Sequence, residues 1–260
     1  MQQVTSKDGT MIGYLKKGAG PALLLVHGAT ADHTRWLPLM PRLEPHFTVF
    51  AMDRRGRGGS TDSPVYSLQR EAEDVASMVE GIGEPVSILG HSFGALCSLE
   101  AALLTDKINQ LILYEPPLPP DLPPVPTDVI DRIQALVDGG ELEAGLEMFF
   151  REIVKMPEYE LKDYRQLPVW QTRISLAPTI ARELGIGRTY RFVPEKFAGV
   201  QVPTVLLLGG DSPDKVKAGV ELVDSALPNS QVVILPGQQH IAMDVDPKLF
   251  VKEVLRFLLE

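Results

Sequence analysis

Cysteine is almost missing from this chain. Cys97 stands alone, so no internal disulfide can form and a structural zinc site is not expected. Basic charge is also in short supply, with 25 Lys and Arg against 34 Asp and Glu and a formal charge of -9. The largest basic cluster is "DRRGR" at 53–57, too small for a nucleic-acid footprint. No apolar run approaches a membrane span, and the opening "MQQVTSKDGTMIGYLKKG" has neither the apolar core of a signal peptide nor a transit-peptide pattern. A cytoplasmic protein with no nucleic-acid or membrane partner, monomeric or homodimeric, is the expectation. Histidine is scarce too, which narrows any search for a catalytic base to five positions: His27, His33, His46, His91 and His240.

What is present suits a folded α/β protein. The 260 residues are 44% hydrophobic and 23% charged, enough apolar material for a large core. Short runs such as "ALLLVHG" at 22–28, "FTVFAMD" at 47–53, "PVSILGHS" at 85–92, "INQLILYE" at 108–115, "PTVLLLGG" at 203–210 and "QVVILPG" at 231–237 are mostly apolar without alternation. Strands buried on both faces read this way, as in a parallel sheet covered by helices. The two segments before them, joined at Asp8-Gly9, have the polar edge of an antiparallel hairpin.

More than 80 residues separate Glu115 from the strand at 203, far beyond the dozen or so of a simple crossover. An inserted cap is therefore expected over 116–199, with a core formed by 1–115 and 200–260. The cap opens with "PPLPPDLPPVP" at 116–126, a stiff extended segment by composition. Helical spacing follows in Val129, Ile133, Leu136 and Val137, then in Leu142, Leu146, Phe149, Phe150 and Ile153, and a third helix is predicted over about 168–185. Phe149 and Trp170 are the aromatic residues expected to face substrate. The arginines Arg151, Arg165, Arg173, Arg182, Arg188 and Arg191 read better as solvated helix faces than as a carboxylate clamp.

The chemistry is concentrated in "ILGHSFGAL" at 88–96. A serine between two glycines, after a strand and before a helix, is the setting of a nucleophile elbow, in which the small neighbours allow the tight turn that exposes Ser92 Oγ. The alternative is a loop serine capping the helix. His240, in the loop between the last strand and the final helix, is the histidine placed to act as base, whereas His91 should point away from the catalytic face. The amides of Ala29, after "LLVHG", and of Phe93 can together serve a developing oxyanion. "DRRGRGGS" at 53–60 lacks the P-loop pattern and reads as structural, with Asp53 as its anchor. Cys97 reads as a buried small hydrophobe.

With "HGAT" at 27–30, "DRRGRGGS" at 53–60, "GHSFG" at 90–94 and "GQQH" at 237–240 in order, the chain resembles the α/β-hydrolase superfamily, in the branch with a helical cap after the sixth strand. The resemblance covers everything but the cap. It implies a mostly parallel eight-stranded sheet and cofactor-free, metal-free hydrolysis of a small-molecule ester or lactone, with Ser92 as nucleophile, His240 as base and the Ala29 and Phe93 amides as oxyanion hole. The same residues would serve a haloperoxidase-like perhydrolase, a C–C hydrolase or a hydrolase-derived ligand receptor with slow turnover. The acid departs from the common pattern. Three residues after Gly209, where relatives usually carry aspartate, this chain has Ser212, with Asp211 one place early. Glu115 ends the sixth strand, a place some relatives use for a triad glutamate, and is preferred here, with Asp211 second.

Overall fold

The computed structural model describes residues 1–118 and 127–260, so most of the proline segment, 119–126, lies outside the described residues. Eight strands form one sheet: β1 (Gln2–Thr5), β2 (Met11–Lys17), β3 (Ala22–Val26), β4 (Thr48–Met52), β5 (Val86–His91), β6 (Ile108–Tyr114), β7 (Thr204–Gly209) and β8 (Ser230–Leu235), in the order β1-β2-β4-β3-β5-β6-β7-β8. β1 and β2 pair antiparallel, and β2 pairs antiparallel with β4. From β4 to β8 every pairing is parallel. The predicted hairpin is present, and Gly9 takes the left-handed φ of 89° that its turn requires.

Alternate residues of the central strands feed the two faces. Leu24, Val26, Ile88, Leu111, Leu113 and Leu206 pack against α2 (Leu68–Ile82), α3 (Phe93–Ala101) and α9 (Asp214–Ala226). Leu23, Leu25, Leu89, Ile112, Val205 and Leu207 pack against α1 (Met40–Leu43), α10 (Ala242–Val245) and α11 (Pro247–Leu259). Both faces being dry explains why the sequence runs lack alternation. The strand order reverses between β3 and β5, and ligands of open α/β sheets bind in the crevice at the carboxyl ends of strands beside such a reversal.

Between β6 and β7 lie α4 (Thr127–Asp138), α5 (Leu142–Met148), a π-helical turn (Phe149–Val154), α6 (Glu158–Tyr164), α7 (Val169–Ser175) and α8 (Ile180–Thr189). They share a core of their own, including Ile133, Leu146, Phe150, Tyr164, Trp170 and Ile180. The single helix expected over 168–185 is instead α7 and α8, separated by a 3-10 turn at Ala177–Thr179. Pro178 within that turn accounts for the break, because it cannot donate the hydrogen bond a continuous helix needs.

Candidate active site

The elbow follows from local packing. Ser92 has φ 53° and ψ −124°, a conformation that costs a non-glycine residue about 1–3 kcal/mol and persists only where its surroundings enforce it. Its amide donates to the Tyr114 carbonyl at 2.8 Å. A Cβ on Gly94 would lie 2.4 Å from the carbonyl oxygens of Val26 and His27, and one on Gly28 would lie 3.0 Å from Ser92 Cβ. These glycines let α3 close onto the end of β3. Strain recurs around the same edge: the non-glycine residues with positive φ among the described residues are Thr30, Ser92, Glu115 and Lys155. The first three follow β3, β5 and β6, and Lys155 lines the cavity above them.

His240 and Glu115 meet at this edge. His240 Nδ1 lies 2.6 Å from Glu115 Oε2, while Glu115 Oε1 accepts from the Gly209 amide at 2.9 Å and from Ser212 Oγ at 2.6 Å. The carboxylate is buried and supplied with three donors, which offsets its desolvation. Asp211 is exposed and takes no side-chain hydrogen bond among the described residues, although its amide donates to the Gln238 carbonyl. His91 does not point away as expected. Its Nε2 donates to the His240 carbonyl at 2.9 Å, and the two rings lie 4.8 Å apart. Burial, with His240 and Arg35 adding, pushes the His91 pKa well down, so it stays neutral. Tyr114 braces the same loop, its hydroxyl donating to the Gln239 carbonyl and accepting from the Ala242 amide.

The amides of Ala29 and Phe93 have no protein acceptor among the described residues. That of Phe93 opens the nine-residue helix α3, whose dipole favours negative charge. Both residues line, with Ser92, Glu115 and His240, a cavity of about 870 Å³. Phe149, Leu96, Ile153, Val154, Ile186 and Val216 supply much of its apolar wall. Glu160, Lys155, Lys215 and Arg191 also line it, so its wall is not uniformly apolar. Burial pushes the Glu160 carboxyl pKa up. Trp170 is not among the lining residues. It sits in the cap's own core, 5.7 Å from the Phe150 ring, with Nε1 donating to Glu143 at 2.8 Å.

Sequence reasoning missed a buried ionic layer under the cap. In "DRRGR", Arg54 is held bidentately by Glu71 at 2.7 and 3.0 Å and meets Glu183 of α8 at 2.6 Å, while Arg57 meets the same Glu183 oxygen. The 126-residue separation of Arg57 and Glu183 left no signal in the chain. Arg54 also donates to the Gly28 carbonyl at 3.1 Å, and its backbone amide donates to His27 Nε2, whose Nδ1 faces the Gly28 carbonyl at 2.9 Å. Burial, and then Arg54, depress the His27 pKa, leaving a neutral ring that can donate at Nδ1 and accept at Nε2. Arg173 is buried as well, contrary to the solvated face expected for it.

Ligand atoms of Asp32, His33 and Asp53 lie within 4.8 Å of one another, but they are engaged in tying loops together. Asp53 accepts from the His33 amide at 2.7 Å and the Gly59 amide at 2.8 Å, and Asp32 accepts from the Thr34 amide at 2.9 Å. Asp53 thus anchors "DRRGRGGS" to the 3-10 turn at His33–Trp36. Cys97 is buried in the core, and burial raises its pKa well above the usual thiol range. No helix among the described residues is long and apolar enough to cross a membrane.

A strained serine and a histidine–carboxylate pair at the carboxyl edge of a mostly parallel sheet define a hydrolase of the α/β class. The model of the alpha/beta hydrolase family matches residues 23–253, and the chain belongs to that family. It is 30% identical to 2-(acetamidomethylene)succinate hydrolase of Mesorhizobium japonicum, over 94% of this chain and 90% of the relative. Identity to the pimeloyl-[acyl-carrier protein] methyl ester esterase of Aeromonas hydrophila is 24%, over 93% and 96%. Among solved structures, an alpha/beta hydrolase from Sphaerobacter thermophilus superposes with a TM-score of 0.87 at 34% identity, covering 99% of this chain and all of the other.

Proposed function

We propose that the protein is a serine hydrolase that cleaves a carboxylic ester or lactone of a small, largely apolar substrate without a cofactor. The observation that carries this reading is the 2.6 Å contact between His240 Nδ1 and Glu115, in a cavity that also holds Ser92 and the two amides without protein acceptors. With its Nδ1 proton directed to Glu115, His240 presents Nε2 as a base. It takes the Ser92 proton as Oγ attacks the substrate carbonyl, and the Ala29 and Phe93 amides stabilise the resulting oxyanion. Collapse expels the alcohol, or opens the lactone ring, with the proton returned by His240. Water activated by the same histidine then releases the acid.

Glu115 holds the imidazole orientation and stabilises the imidazolium without itself taking the proton. Phe149 and its apolar neighbours bind the acyl or alcohol portion. The relatives named for a methyl ester and for an acetamido compound widen the useful assay to amides. A panel of p-nitrophenyl esters, lactones and acyl amides, with Ser92→Ala as the blank, tests the reading. Multiple turnovers that vanish in the variant are expected. A single stoichiometric burst accompanied by ligand-induced stabilisation would support a hydrolase-derived receptor instead. Peroxide-dependent oxidation or C–C cleavage at higher kcat/KM than any ester would move the reaction to a perhydrolase or C–C hydrolase.

A further inference from the structure

Two peptide planes meet at Ala29. In the first, the Gly28 carbonyl and the Ala29 N–H belong to one trans peptide and point in opposite directions. Holding that carbonyl therefore aims that amide. The core does this through His27 Nδ1 at 2.9 Å and Arg54 Nη1 at 3.1 Å. In the second plane, the Ala29 carbonyl accepts from the Thr30 hydroxyl at 2.8 Å and from Arg173 Nη1 at 3.1 Å, and the same Arg173 nitrogen lies 2.7 Å from Thr30 Oγ1. Arg173 is a cap residue, in α7. Thr30 has a left-handed φ of 51°, so a relaxed backbone is available to the loop once that hold is released.

We propose that Arg173 is a positioning residue for the oxyanion hole: His27 and Arg54 set the direction of the Ala29 N–H, and Arg173, by gripping the Ala29 carbonyl and the Thr30 hydroxyl, holds the next peptide plane and with it the place of the Ala29 backbone, so the hole is complete only when the cap is seated on the core. This rests on the serine-hydrolase reading of Ser92.

Packing alone is a poor reason for a guanidinium here. Arg173 is 3% exposed and has no carboxylate within ion-pair distance among the described residues. The adjacent Asp244 pairs with Arg35 at 2.6 Å. Burial, with Arg35 adding to it, lowers the Arg173 pKa. Its neutral partners are Tyr164, reached by Nε, and the Ala29–Thr30 segment. The Phe150 and Tyr164 rings lie 5.4 and 5.2 Å from its guanidinium carbon. An apolar side chain would fill this space without the desolvation. What arginine adds is a rigid planar set of donors, with Nη1 on the Ala29 carbonyl and the Thr30 hydroxyl while Nε holds Tyr164.

The test compares Arg173→Ala, Arg173→Lys and Thr30→Val with wild type for kcat, KM, Tm and the Ki of a trifluoromethyl ketone, whose serine adduct places an oxyanion in the hole. Arg173→Ala should lower kcat by about 10–100-fold with KM within about threefold, because a donor is misdirected rather than deleted. The ketone Ki should rise in the same proportion. Millimolar guanidinium should restore part of kcat, and Arg173→Lys should fall between. Thr30→Val removes one acceptor while leaving the cap sequence intact, and should lower kcat and raise Ki together. Unchanged kcat in folded Arg173→Ala, or a fall in kcat with the ketone Ki unmoved, overturns the proposal. If Arg173→Ala does not fold, Thr30→Val decides: a wild-type Ki there overturns it. A wild-type protein that forms no ketone adduct and turns over no ester defeats the serine-hydrolase reading itself, whereas an active wild type matched by its variants defeats only the role of Arg173.

Discussion

Replacing Glu115 by glutamine tests the site at its most informative atom. Oε1 takes the Gly209 amide and Ser212 hydroxyl, and Oε2 takes His240 Nδ1. In Glu115→Gln the amide oxygen can keep the first two bonds, which places the NH₂ group against His240. Two donors then face each other unless the imidazole moves its proton to Nε2, and that tautomer cannot accept the Ser92 proton. Loss of the carboxylate also removes the charge that stabilises the imidazolium. An isosteric change of this kind in a serine–histidine–carboxylate site costs about 10⁴ in kcat, and a loss of about 10³–10⁴ is expected here. That corresponds to roughly 4–5.5 kcal/mol at 1.36 kcal/mol per decade. Asp211→Asn, at an exposed side chain, should change kcat by less than about threefold. Steady-state hydrolysis of a p-nitrophenyl ester by both folded variants, matched by circular dichroism and Tm, reads the difference. A severe loss in Asp211→Asn with a mild one in Glu115→Gln would refute the reasoning and move the acid to the β7 loop.

Other expectations concern stability. Gly94→Ala drives a Cβ to 2.4 Å from two backbone oxygens and should cost about 3 kcal/mol or more, while Gly185→Ala in α8, with nothing within 4 Å, should gain about 0.5–1 kcal/mol; thermal melts that rank them otherwise contradict the packing. Glu183→Gln leaves Arg54 and Arg57 short of a buried carboxylate and should cost about 3–5 kcal/mol, read as a Tm lower by roughly 6–20 °C. His27 and His91 are held neutral by burial. As pH falls below about 6.5 the unfolded chain takes up protons that the fold refuses, so stability should drop by about 1.4 kcal/mol per pH unit for each ring. His33, raised by its hydrogen bond to Asp53, works the other way. Its contribution is complete below its unfolded pKa and is lost as pH rises through the folded one. An unchanged denaturation midpoint between pH 7 and pH 5 would count against the neutral pair.

What was legible in the chain follows from how locally each feature is encoded. The parallel strands show because burial on both faces abolishes alternation, and the elbow shows because its glycines are neighbours of Ser92. The break between α7 and α8 was also written locally, in Pro178. Trp170 misled because the cap, with five helices among the described residues, needs its own core, and composition does not separate that core from a substrate wall. The arginines were illegible for a different reason. Arg54, Arg57 and Arg173 meet partners more than 120 residues away, and in sequence a buried guanidinium looks like a solvated one. His91 was misjudged because the loop carrying His240 folds back over it, a contact that strand alternation cannot foresee.

The place of Glu115 in the sheet has a physical logic. β6 and β7 are neighbours, with Tyr114 beside Leu207 and the Glu115 amide donating to the Leu207 carbonyl. A carboxylate at the end of either strand can therefore reach the same histidine, one strand spacing of about 4.8 Å apart, and glutamate's extra methylene covers part of that step. The loop after β7 takes part as well. Ser212, three residues after Gly209, donates its hydroxyl to Glu115 Oε1, and the Gly209 amide donates beside it. Together they satisfy one oxygen and leave the other for His240. The β7 loop thus supplies donors to a carboxylate that β6 delivers. Glu115 is followed at once by Pro116, where the chain leaves the sheet for the cap, so the carboxylate that meets His240 stands at the cap's point of entry. Its backbone there is held at a left-handed φ of 47°.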